Sequence, residues 1–159
     1  MRQLIFIISI LSFASVLQAQ SISPPWQEAK SAKPGKAVGI EFSVGNNAVV
    51  PMTVLVEART PIPNGEGLIF ERLSSTVSVR FNQASFKVAP KSTHTVLADV
   101  WCQSYPCVVA LMATLFGKPA ANGMQVAIQF PSIVYICPKS KGCRATIQTD
   151  IFHHHNFDK

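Results

Sequence analysis

A chain of 159 residues, 48% hydrophobic and 14% charged, suits one domain with a single core and is too short for two comfortable ones. Fourteen Lys and Arg against eight Asp and Glu give a net charge of +6, with the cations scattered. No basic block interleaved with aromatics argues for a nucleic-acid partner. Beyond the N-terminus no apolar run reaches the ~20 residues that a membrane helix needs.

Residues 1–19 read as a secretory signal. Arg2 supplies a positive start, residues 4–16 form a mostly apolar run too short to span a bilayer, and Leu17-Gln18-Ala19 ends on a small residue before Gln20. No cysteine follows the run, which argues against a lipoprotein signal. The remaining chain is then exported, periplasmic or secreted, and not membrane-spanning after cleavage. It carries 13 basic and 8 acidic residues, a net charge of +5.

Along that chain, residues 21–26 (SISPPW) read as an edge strand interrupted by proline, which cannot donate to a central ladder. After a turn at residues 32–36, Val38, Ile40, Phe42 and Val44 alternate with smaller or polar residues, the pattern of a half-buried strand. Gly45, Asn46 and Asn47 close it with residues tolerant of left-handed backbone. Met52, Val54, Val56 and Ala58 alternate next, and residues 61–67 (PIPNGEG) read as a long loop. Residues 68–73 suggest a short connecting strand. Val77, Val79 and Phe81 alternate, as do Phe86 and Val88 before Pro90, and then Val96, Ala98 and Val100.

Residues 107–116 (CVVALMATLF) are almost continuously apolar, as a central strand covered on both faces would be. Met124, Val126, Ile128 and Phe130 alternate; Pro131 interrupts, and Ile133–Ile136 continues after an expected bulge or bend. Seven or eight strands at regular spacing, with no convincing amphipathic helix, predict an all-β, immunoglobulin-like antiparallel β-sandwich. The expected organisation is a signal at 1–19, the sandwich at 20–145 and a C-terminal tail at 146–159.

Four cysteines in an exported chain are expected to oxidise. Of three pairings, Cys102–Cys107 and Cys137–Cys143 are favoured, because each spans a short loop containing proline or glycine. A four-cysteine zinc site fits less well: CQSYPC encloses four residues and CPKSKGC five, against the usual two to four. His153, His154 and His155 alternate faces if extended, so at most two could share an ion. Neither group is read as a metal site, and no cofactor is implied. The eight carboxylates form no close pair in the sequence, no nucleophile elbow or phosphate loop is present, and Cys102/Cys107 lack redox-motif spacing. An enzyme is not expected. Trp26, Trp101 and Tyr105 suggest a glycan platform, but the two tryptophans are read instead as core or lid residues of the sandwich.

The order of these features resembles the N-terminal domain of PapD-like periplasmic pilus-assembly chaperones. Residues 44–51 (VGNNAVVP) are similar to that family's strand, Asn-containing turn and next strand; residues 86–92 (FKVAPKS) are similar to its F-x-V-x-P turn. Residues 130–135 (FPSIVY) are similar to its last strand, which members lend to a pilus subunit. The resemblance implies binding of an exported, pilin-like subunit by strand addition. Met124, Val126, Ile128 and Phe130 would carry it, with Ile133 and Tyr135 beyond the proline. Where the family carries a basic pair for the subunit's terminal carboxylate, this chain has Gln27 and Gln129. Chaperone or accessory factor in pilus assembly is the function implied. The alternative is a free-standing structural or adhesive module of the cell envelope, and a homodimer is left open.

Overall fold

The computed structural model describes residues 20–31, 33–117, 119, 123, 125–139 and 143. The expected signal, the tail with its histidines, and Met124 lie outside the described residues. In chain order the strands are β1 (Ser21–Ser23), β2 (Trp26–Ser31), β3 (Val38–Asn46), β4 (Met52–Asn64), β5 (Gly67–Arg72), β6 (Val77–Phe81), β7 (Ser85–Val88), β8 (Ser92–Cys102), β9 (Cys107–Phe116) and β10 (Ala127–Pro138). One sheet has the order β1-β3-β8-β6. The other has the order β2-β10-β9-β4-β5, with β7 also paired to β4. Every pairing is antiparallel except β2 with β10. This is the immunoglobulin-like antiparallel sandwich that the alternation predicts.

Each sheet turns one set of alternate side chains inward. Ile40, Phe42 and Val44 of β3, Val96, Ala98 and Val100 of β8, and Val54 and Val56 of β4 meet Val109, Leu111, Ala113 and Leu115 of β9 and Val134 and Ile136 of β10. The outer face of the larger sheet carries a second, smaller cluster. Ala110, Met112 and Ile133 are buried there beneath Leu68, Phe70, Val108 and Tyr135. With apolar contacts on both faces, β9 has no use for alternation, and its continuous apolar run follows.

The first strand changes sheets. Ser21–Ser23 pairs with β3, and after Pro24 and Pro25 the chain resumes as β2 in the other sheet, parallel to β10. Two consecutive residues without an N–H cannot continue a ladder, so the break falls where the chain must cross over.

Four expectations need correction. Residues 61–67 are not a loop: β4 runs through Pro61 and Pro63 to Asn64, and a tight turn sends it back as β5. Its register with β9 ends at Arg59↔Ala110, so the prolines lie where β4 has a described neighbour on one side only. Pro131 causes no bulge, because β10 keeps one register with β9 from Ala127↔Phe116 to Ile136↔Cys107. Asn46 does not act through left-handed backbone; the non-glycine residue with positive φ among the described residues is Lys91, at φ 54°. Instead the Asn46 side chain is wholly buried, and its amide nitrogen serves the carbonyls of Val50, Val88 and Ala89 at 2.8, 3.1 and 3.1 Å. Its oxygen accepts from the Ala48 N–H at 3.0 Å. Finally, there are ten strand segments rather than seven or eight, because the first strand is split and the β4–β5 hairpin is extended.

Candidate functional site: the last strand and its edge

β10 has two edges with different fates. Along one, β9 covers its whole length to Ile136. Along the other, β2 covers Ile133–Pro138, and among the described residues no strand pairs with residues 127–132 on that side. The Ile133 N–H donates toward β2, to the Pro25 carbonyl at 2.9 Å, and the Lys139 N–H likewise to Ser31 at 3.0 Å. Strand backbone alternates its hydrogen-bonding direction, so the nitrogens of residues 127, 129 and 131 point to the uncovered side. Pro131 has no hydrogen to offer there, which is where a sheet tolerates proline. Ser132 marks the boundary: it is buried, and its hydroxyl donates to the Pro24 carbonyl at 2.7 Å.

Side chains divide by parity. Phe130 stands opposite Ala113 and packs partly against the main core; Ile128 stands opposite Leu115 and is half-buried. Val126, just before the strand, is 64% exposed. Ile133 and Tyr135 have the other parity. They sit on the outer face, in the half that β2 covers, opposite Trp26 and Glu28. Burial there pushes the Tyr135 phenol up from its ordinary value. Val126, Ile128 and Phe130 are therefore brought together at the open half, and Ile133 and Tyr135 are not. The phase change that sequence reading took for a bulge is a change in which face of the strand is covered. Pro25 and Ser132, which delimit the open half, carry no distinguishing signal in the sequence.

The two glutamines are occupied locally. The Gln27 amide donates to the Glu41 carbonyl at 3.2 Å, and that of Gln129 to Thr114 Oγ1 at 3.2 Å and Glu57 Oε1 at 3.4 Å. Neither supplies a cation for a carboxylate. The three aromatics stand apart, and Trp26, expected in the core or as a lid, is instead exposed on edge strand β2; Arg80 lies over Trp101 at 5.6 Å, and the Tyr105 hydroxyl donates to the Lys33 carbonyl at 2.8 Å.

Cys102 and Cys107 form a disulfide joining β8 to β9, with Cα atoms 6.4 Å apart, and Cys137 and Cys143 form a second, with Cα atoms 5.8 Å apart. The Glu28 carboxylate and the sulfurs of Cys137 and Cys143 lie within 4.8 Å of one another. Metals take thiolates, and both sulfurs are engaged in a disulfide, so this group is not a ligand set. No helix among the described residues is long and apolar enough to cross a membrane.

No family model matches the sequence, and no curated protein matches it. Solved structures match at the level of the fold. A chain of the Salmonella enterica SafA pilin in complex with the SafB chaperone gives a TM-score of 0.56 at 9% identity, over 80% of this chain and 59% of that one. The class 5 fimbriae chaperone CfaA gives 0.54 at 11% identity, over 76% and 56%. The E. coli chaperone DraB gives 0.53 at 11% identity, over 78% and 58%. The fold is thus that of PapD-like chaperones, and the chain spans less than two thirds of each of these three.

Proposed function

We propose that this chain is an exported protein, periplasmic or secreted, that binds another exported protein by strand addition at the open half of β10. The role would be that of a pilus-assembly chaperone or accessory factor rather than an enzyme. One observation carries the reading: residues 127–131 present backbone groups along an edge that no described strand covers, with Ile128 and Phe130 turned toward the core and Val126 exposed beside them. An added strand would take main-chain bonds from Ala127, Gln129 and the Pro131 carbonyl, and its alternate side chains would extend the apolar line of Ile128 and Phe130. Short disulfide-closed loops support an oxidising compartment. The similar structures, two chaperones and a pilin–chaperone complex, support the partner class.

The test is capture of bound proteins by the exported chain in extracts of its native host, with identification by mass spectrometry. A near-stoichiometric small subunit with an alternating apolar segment is expected, and Ile128→Lys with Val126→Lys should release it while circular dichroism stays unchanged. Recovery of the folded chain alone, or a partner that survives both substitutions, would overturn the reading.

A further inference from the structure

One end of the sandwich differs chemically from the rest. β3 ends there at Asn46, β4 and β10 begin there, and β7, β8 and β9 meet it through Met52↔Val88, Asn46↔Ser92 and Thr53↔Phe116. Of the seven large apolar side chains exposed on the described surface, Val49, Val50 and Val126 gather at this end, with Val49 at 72%. They are not exposed because the loop is slack. Asn46 binds the Val50 carbonyl and the Ala48 N–H, and the Lys91 N–H donates to the Ala48 carbonyl at 3.2 Å. The β3–β4 turn is thereby fastened to the β7–β8 turn, holding two valines outward on rigid backbone.

Among the described residues, the charge around this tip has one sign. Lys87, opposite Thr53, and Lys91 are both exposed beside it. The described residues that converge here, within 43–54, 84–96, 114–117 and 125–129, include no Asp or Glu. The carboxylates nearest in register, Glu41 opposite Leu97 and Glu57 opposite Met112, sit partway down the sheets. Val50, Pro51, Met52, Thr53 and Lys87 line a shallow hollow at the rim, an apolar wall ending in a hydroxyl and an ammonium.

We propose that this end docks on an anionic phospholipid bilayer, with Val49 and Val50 entering the headgroup–acyl boundary and Lys87 and Lys91 on lipid phosphates. Apolar side chains at the tip and cations set just behind them match the two layers of such a surface, and neither term alone holds a protein there stably. A protein partner would need an apolar pocket with an acidic rim around it to match both features, whereas an anionic bilayer presents that pairing across its whole surface. The open half of β10 starts at this end, with Ala127 opposite Phe116, so Val126 borders both surfaces and is left out of the test.

The experiment is flotation of the full exported chain with vesicles of phosphatidylcholine, with and without phosphatidylglycerol. Binding to the phosphatidylglycerol vesicles alone is expected. Val49→Asp with Val50→Asp, and separately Lys87→Glu with Lys91→Glu, should each weaken it about tenfold or more without changing the melting temperature, since all four side chains are exposed. Ile128→Lys should leave it unchanged, which separates this surface from the strand edge. No binding to phosphatidylglycerol vesicles would overturn the proposal. So would binding that tolerates the valine changes and vanishes with salt, the behaviour of a basic protein adhering by charge alone. Loss of a captured protein partner on valine substitution, with vesicle binding intact, would also overturn it.

Discussion

The two halves of β10 are made from similar residues and meet opposite fates. Residues 133–138 lie between β9 and β2, with Val134 and Ile136 wholly buried and Ile133 nearly so. Residues 127–131 lie beside β9 alone among the described strands, with Ile128 and Phe130 half-buried and Gln129 exposed. The difference is not hydrophobicity. It comes from the first strand, which leaves one sheet at Pro24-Pro25 and reaches the other only in time to cover Ile133 onward. An edge half covered by its own chain has a built-in length for any partner strand, because an incoming strand would meet Pro25 and Trp26 end on.

The comparison breaks most sharply by placing one charge in each half. Val134→Asp buries a carboxylate among Phe42, Val96 and Val109 in the main core and should cost about 4 kcal/mol or more, enough to unfold most of the population. Val126→Asp, at a position already 64% exposed, should change stability by no more than about 0.5 kcal/mol. Urea denaturation of the two variants reads both numbers. Comparable losses would mean that the first half of β10 is as enclosed as the second.

A smaller effect sharpens the boundary between the halves. Ser132→Ala removes the hydroxyl that holds the Pro24 carbonyl and should cost about 1 kcal/mol. Amide exchange should then quicken at Ile133, whose N–H donates to Pro25, and stay unchanged at Val54 in the middle of β4. Faster exchange everywhere would make Ser132 a general stability residue rather than a hinge for β2.

Much of this was legible in the sequence, and the residues show why. Alternation at Val38–Val44, Val77–Phe81 and Val96–Val100 reports which face of a strand meets the core, and that is a local property. The unbroken apolar run of β9 likewise reports cover on both faces. Asn46 was visible as a turn residue, but its three carbonyl partners lie four and more than forty residues away in sequence, so its role as a buried clamp was not. The prolines at 61 and 63 looked like loop signals because sequence does not say that β4 outruns β9 there. Alternation places Val126, Ile128 and Phe130 on one face of the last strand, as the register with β9 does for the latter two. That Ile133 and Tyr135 belong to the other face, under Phe70 and beside Trp26, depends on a hairpin and a strand that sequence places far away.

Tyr135 offers a pH test of the covered half. Burial raises its folded-state pKa above the unfolded phenol value of about 10, so its contribution to stability is fully present below that pH and is lost as pH rises through the folded value. Tyr135→Phe cannot ionise and should make the alkaline fall in melting temperature shallower above about pH 10, with little change at neutral pH. A parallel shift at every pH would show lost packing instead.

The smallest effect on the fold comes from Pro131, and it isolates the edge itself. Its nitrogen faces the uncovered side, so Pro131→Ala restores one N–H to that edge without disturbing any bond to β9. Folded stability should move by no more than about 0.5 kcal/mol, because no packed side chain is lost from the main core and backbone φ is already suited to a strand. What changes is the edge's capacity to pair. With consecutive donors at Ala127, Gln129 and residue 131, the variant should hold an added strand more tightly and should self-associate at lower concentration than the native chain, as unprotected edges do. Sedimentation of the two proteins across a concentration series reads the second effect without knowledge of any partner. If the variant stays as monodisperse as the native protein, Pro131 is not guarding an edge.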